Sequence, residues 1–160
     1  MKPRTDIVGR RPDGSLAGVS ANELEPIGRN FVAVRFDGSL NFVNASHFED
    51  VLLEARVRNP RARAVLVIGS GINDIDVTGE ERLRDVIDNF RDSGVEIYFS
   101  SLKTQIYETL RRGKLFHLLG EAHFIRTKDK ALKFMEEQFD SGKPLEPARP
   151  AVGPSTPLLG

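Results

Sequence analysis

The 160-residue chain is long enough for one compact domain with a real core but not comfortably for two. Its 23 basic and 23 acidic residues cancel, which argues against a nucleic-acid binder, whose affinity rests on clustered Lys and Arg. Cysteine is absent, which excludes disulfides, thiolate chemistry and cysteine zinc sites; the longest apolar run, Ala64 to Ile68, is too short to cross a bilayer, and the first residues do not read as a signal peptide.

Residues 1–29 read as irregular, with a short strand at Asp6-Ile7-Val8 and a turn at Pro12-Asp13-Gly14-Ser15. Phe31 to Phe36 is β-branched and aromatic and predicts a strand. Asp37-Gly38 gives a tight hairpin signal, with Leu40-Asn41-Phe42-Val43 as the returning strand. Ser46-His47-Phe48-Glu49 fits a capping box, and Phe48, Val51, Leu52 and Ala55 then recur as one apolar stripe until Asn59-Pro60. Ala64 to Ile68, apolar on both faces, predicts a central strand sandwiched by helices. Gly69-Ser70-Gly71 follows as a small-residue loop leading to the mouth of a helix. Thr78-Gly79-Glu80-Glu81 opens that helix as a second capping box, Leu83, Val86, Ile87 and Phe90 give its buried face, and Ser93-Gly94 closes it.

Val95 to Phe99 is the next strand. A helix from about Thr104 to Arg112, stopped by Gly113, comes after it. Phe124-Ile125 predicts a short edge strand, and a last helix from about Asp129 to Phe139 buries Leu132, Met135 and Phe139. From Ser141 onward Pro, Gly and Ser dominate, which predicts a domain over 1–140 and a disordered tail over 141–160. Right-handed crossovers place the later strands parallel in one mixed sheet, an α/β architecture with about four to five helices.

Few residues point to chemistry. Gly69-Ser70-Gly71 ahead of a helix offers backbone N–H groups to an anion, but it lacks the Lys-Ser/Thr ending of a P-loop and the spacing of a dinucleotide fingerprint, so a plain turn is the stronger reading. Asp74 and Asp76 would have to converge to do acid–base work or hold a metal, and their spacing in an extended loop is expected to point them apart. Asp76 is expected to accept loop N–H groups near Thr78 and Gly79. His47, His117 and His123 show no metal spacing, so no metal site and no catalytic residue is assigned. Arg56, Arg58, Arg61 and Arg63 form one basic group, and Arg111, Arg112 and Lys114 a second. Solvated charge is the default for both, with anionic headgroups as the functional alternative. Ser100-Ser101-Leu102-Lys103-Thr104 lies beside the central loop if the strands are parallel neighbours. The expected partner- or nucleotide-binding surface therefore comprises Gly69, Ser70, Gly71, Asn73, Asp74, Asp76, Thr78 and Gly79, with Ser100, Ser101, Lys103 and Thr104.

Three blocks resemble one family, over roughly Asp6 to Phe139. They are Val34 to Ala45, with its Arg35-Phe36-Asp37-Gly38 and Asn44-Ala45, Ser70 to Gly79, and Gly94 to Leu102. The chain resembles a STAS domain, the module shared by anti-sigma-factor antagonists and the cytosolic ends of SulP-type sulfate and anion permeases. The first block is similar to the permease branch, as is Ile7-Val8-Gly9-Arg10. The short connector Arg58-Asn59-Pro60-Arg61 lacks the long insertion of animal relatives, which implies a bacterial source.

The resemblance implies a non-enzymatic domain without a cofactor, held at the cytoplasmic face of the inner membrane by the rest of the permease. There it would support folding, dimerisation or gating of anion transport. The membrane domain of the same permease is the implied partner. A homodimer, acyl carrier protein and weak nucleotide binding are further implied partner types. A free-standing antagonist binding a switch kinase is the alternative. In antagonists a Ser directly after the loop Asp is phosphorylated. Val77 stands at that position and carries no hydroxyl, so that charge switch is unavailable, and the adjacent Thr78 is expected to cap a helix.

Overall fold

Strand pairing at both edges of one long strand sets the architecture. In the computed structural model, which describes residues 4–142, that strand is β3 (Phe31–Leu40). β1 (Arg4–Arg10) pairs with it antiparallel, and β2 (Leu16–Gly18) pairs with β1 antiparallel. On its other side β4 (Ala64–Ile75), β5 (Glu96–Ser100) and β6 (Phe124–Ile125) follow in parallel, giving the order β2-β1-β3-β4-β5-β6. The helices are a single four-residue turn, α1 (Val19–Asn22), and α2 (Phe42–Arg58), α3 (Val77–Asp92), α4 (Thr104–Arg112), α5 (Lys114–Leu119) and α6 (Lys128–Met135), with a 3-10 turn over Glu121–His123 ahead of β6. The architecture is the mixed α/β sheet expected from the order of elements. The expected tail lies outside the described residues, except for Ser141 and Gly142.

The two faces of the sheet bury different residues of the same strands, as a period of two requires. Val32, Val34, Phe36, Val65, Val67, Ile97 and Phe99 pack under α2, α3, α4 and α5. Phe31, Ala33, Ala64, Leu66 and Ile68 pack under α6 with Ala131, Leu132 and Met135. Phe48 of α2 meets Phe36 of β3 edge to face, with ring centroids 5.7 Å apart.

The hairpin at Asp37-Gly38 is not formed. β3 runs through it to Leu40, because Asp37 to Leu40 pair with Gly71 to Ile75 of β4 while Asp37 to Val34 pair with Arg4 to Ile7 of β1. Both edges are filled, so no returning strand has a place. Asp37-Gly38 instead marks two register shifts in the β3–β4 ladder. Phe42 and Val43 consequently belong to the first turn of α2, whose cap is Asn41, accepting the Asn44 N–H at 2.9 Å. Ser46 sits inside that helix and does not cap it, and Glu49 pairs with Arg82 at 3.1 Å. The α6 helix continues as a π-type turn over Glu136–Asp140, leaving Phe139 half-buried.

A polar cluster lies within this apolar frame. Arg91, in the last turn of α3, pairs with Glu96 at 2.9 Å and donates to the Leu118 carbonyl at 2.7 Å; both charged side chains are about nine-tenths buried. Beside Glu96, the His123 ring stacks on Tyr98 with centroids 4.3 Å apart, and its Nδ1–H donates to the Ile97 carbonyl at 2.9 Å. Burial, then the Glu96 carboxylate, pushes Tyr98 up to about 12. Burial pushes His123 below the ordinary 6.5. The unfolded chain therefore takes up this proton first as pH falls below 6.5, and the fold loses stability there. Thermal unfolding at pH 7 and pH 5 should show a smaller acid loss for His123→Gln than for the parent chain. An equal loss in both would assign the acid sensitivity elsewhere.

Candidate functional site

The expected residues lie on the carboxyl half of β4 and the start of α3, and from the end of β5 to the start of α4, but the glycine segment has a different form there. Gly69, Ser70 and Gly71 continue β4, and Gly71 pairs with Asp37. No anion cradle forms at a helix mouth, because these amides lie along a strand and α3 starts only at Val77. The glycines serve close approach. A Cβ on Gly71 would sit 1.7 Å from Asp37 Oδ1, and one on Gly69 would sit 2.6 Å from Leu102 Cδ2. Arg35 Nε holds Asp37 in place over Gly71 at 3.0 Å.

Leu102 belongs to the second ridge, which does lie against β4. β5 ends at Ser100, level with Ile68. Ser100 is fully buried and Ser101 Oγ donates to its hydroxyl at 3.3 Å. Ser101 turns the chain at φ 62, a conformation rare outside glycine, and its N–H donates to the Ile125 carbonyl at 3.2 Å. The exposed Lys103 then reaches back, its Nζ donating to Asn73 Oδ1 at 2.5 Å. Exposed Thr104 begins α4, which has no side-chain cap.

The two carboxylates are spoken for locally. Alternate residues of a strand share a face, so spacing does not separate them; hydrogen bonding does. Asp74 accepts the Ile75 N–H at 2.9 Å, whereas Asp76 accepts the Gly79 N–H at 2.6 Å and the Thr78 hydroxyl at 3.0 Å. Asp76 is thus the cap of α3, and Thr78, expected to cap it, is the second residue of its first turn and supports Asp76. Asp76→Ala should lower stability by about 1 kcal/mol. Thermal unfolding would read this as a fall of about 3 °C, and no change would show that Asp76 does not secure the helix.

Sequence reasoning missed the most exposed apolar group of this end. Phe42 and Val43 in the first turn of α2 are 66% and 70% exposed, and Val77, the first residue of α3, is 72% exposed. The two helix starts that carry them are neighbours, because Leu40 and Ile75 are register partners and the Asp76 N–H donates to the Leu40 carbonyl at 3.2 Å. Exposed apolar side chains on neighbouring helix starts are a candidate contact surface. The available signal was Asn41 three residues ahead of Asn44, a helix cap that takes Phe42 and Val43 out of a strand.

The remaining candidates scatter. Arg56 lies over the Phe90 ring at 5.7 Å, while Arg58, Arg61 and Arg63 are exposed around the other end of the sheet, before β4 begins. Arg111 is bound to Glu108 at 2.8 Å, and Lys114 starts α5. His47 is half-buried on α2, His117 is exposed on α5, and His123 is stacked on Tyr98. Among the described residues no group of three or more His, Asp or Glu is placed to hold a metal ion, and no helix is long and apolar enough to cross a membrane.

Comparison with known proteins places this geometry. The chain is 27% identical over 139 residues to the probable sulfate transporter 4.2 of Arabidopsis thaliana, covering 79% of the chain and 20% of that protein. It therefore spans about a fifth of the length of this curated relative. Its fold matches the murine Solute Carrier 26 family member A9 anion transporter with a TM-score of 0.72 at 15% identity, over 84% of the chain and 22% of the transporter. It also matches a sulfate transporter family protein from Wolinella succinogenes with a TM-score of 0.62 at 18% identity, over 76% of the chain and 97% of that structure. The STAS domain model matches residues 19–131, from the end of β2 through the central sheet to α6, and the chain belongs to the STAS domain family.

Proposed function

We propose that the chain is the cytosolic, non-catalytic regulatory domain of a SulP-type anion permease. Its role is to support folding or gating of transport by docking against the rest of the permease. The match of most of the chain to a fifth of a sulfate transporter carries this reading. The apolar apex of Phe42, Val43 and Val77 supplies the docking surface, with the Asn73–Lys103 link bracing it from the β5 side. Burying three such side chains at an interface is worth several kcal/mol before the costs of association. A free-standing phospho-switched antagonist is disfavoured by Val77 at the start of α3, which has no oxygen to modify.

The reading frame around the gene gives a first test: about ten or more apolar segments of helix-spanning length should be fused in frame. Uptake of radiolabelled sulfate by cells expressing that frame gives a second. The Phe42→Ser, Val43→Ser, Val77→Ser triple variant should fall several-fold in uptake at equal membrane abundance, while the isolated chain keeps its unfolding temperature. Full uptake by the triple variant would remove the apex from the mechanism.

A further inference from the structure

Away from the apex, the outer flank of the domain is sorted by charge and polarity in a way the core does not need. On α3, Arg82 and Arg91 are turned into ion pairs with Glu49 and Glu96, and Arg84 is half-buried. The acidic residues Glu81, Asp85, Asp88 and Asp92 recur at helical spacing, are all exposed, and form no ion pair among the described residues. α2 runs alongside in step, since Glu49 meets Arg82 and Arg56 meets Phe90. The exposed residues of α2 include Leu53, 49% exposed, and Val57, 79% exposed, one turn apart and flanking Arg56. They lie level with the turns of α3 that carry Asp85, Asp88 and Asp92. Of the basic residues on α2, Arg56 lies over the Phe90 ring and Arg58 leans toward Glu54 at 4.0 Å.

We propose that the α2–α3 flank docks a basic amphipathic helix, which lays its apolar row on Leu53 and Val57 and its Lys and Arg side chains along the acidic row of α3. An apolar row beside an acidic row is the complement of such a helix. The same row repels an anionic membrane surface, so the flank faces a protein partner. The inference does not rest on the permease reading, because it uses only the surface of this chain.

The test uses the full 160-residue chain, labelled with nitrogen-15. The probe is a synthetic helix with Leu at i, i+4, i+7 and i+11 and Lys elsewhere. One control has the same composition in scrambled order, and the other has Glu in place of Lys. The probe should shift amide signals on the outer faces of α2 and α3, and the controls should not. Leu53→Ser with Val57→Ser should weaken binding about tenfold or more, as should Asp85→Lys with Asp88→Lys, with unfolding temperatures unchanged. Four results would each overturn the proposal: no shift at millimolar probe, equal binding of the scrambled control, shifts confined to another surface, or affinity unchanged in both variants. Flank signals that move with protein concentration alone would also overturn it, by assigning the flank to a second copy of the chain.

Discussion

Glu96→Leu should cost about 3 kcal/mol or more, because it leaves the Arg91 guanidinium buried without its carboxylate. For a domain of this size that is a fall of about 9 °C in unfolding temperature. The loss comes from stranding a charge, so removing the second charge should recover much of it. Arg91→Met combined with Glu96→Leu should be more stable than Glu96→Leu alone, short of the parent by the hydrogen bond that Arg91 gives the Leu118 carbonyl. Thermal unfolding of the four proteins in the cycle settles this. Additive losses would mean that the pair is not coupled, and that its burial stabilises the link between α3 and β5 only by packing.

Gly79→Ala should also destabilise, against the ordinary rule for helices. In an exposed helix interior alanine gains about 1 kcal/mol over glycine. Gly79 lies in the first turn of α3, and a Cβ there would stand 2.0 Å from the Leu40 carbonyl oxygen and 2.7 Å from its carbon. That backbone is fixed in β3, so the start of α3 must lift off the strand, and the Asp76 N–H loses the same carbonyl. A net loss of about 2 kcal/mol is expected, read as a fall of about 6 °C. Gly94→Ala is the internal comparison, because its strain comes from a φ of 79 with open space around it. An unchanged or raised unfolding temperature for Gly79→Ala would show that α3 is not seated on the end of β3.

Periodicity made the core legible. The stripes Phe48, Val51, Leu52 and Ala55, and Leu83, Val86, Ile87 and Phe90, are the buried faces of α2 and α3. The doubly apolar run Ala64 to Ile68 is the fully buried first part of β4, paired on both sides. What periodicity could not show was where strands stop. Asp37-Gly38 has the composition of a hairpin, and only the tertiary partners, β1 and β4, turn it into a pair of bulges. Gly69-Ser70-Gly71 has the composition of a loop, and pairing with β3 keeps it extended. Both misreadings share one cause: local turn chemistry is overridden when a neighbouring strand supplies the hydrogen bonds. α5 was missed for another reason, its six residues being too few for a clear period.

At the candidate site the sequence located the residues better than their roles. The juxtaposition of Asn73 with Lys103 follows from parallel neighbouring strands. The role of Asp76 follows from its position before a helix. The exchange of roles between Thr78 and Asp76 came from a boundary displaced by a residue or two. The apolar apex was hidden by a larger displacement at α2, whose cap is Asn41 and not Ser46, because Phe42 and Val43 read as residues of a returning strand.

The proposed docking of Phe42, Val43 and Val77 requires that the rest of a permease cover this apex. Amide hydrogen exchange, measured on the isolated chain and on the product of the full reading frame in detergent or lipid, tests it directly. Exchange over residues 41–46 and 76–81 should slow several-fold in the larger protein, with residues 113–120 unchanged as a reference. Equal exchange at the apex in both would contradict the claim and leave Phe42, Val43 and Val77 facing solvent.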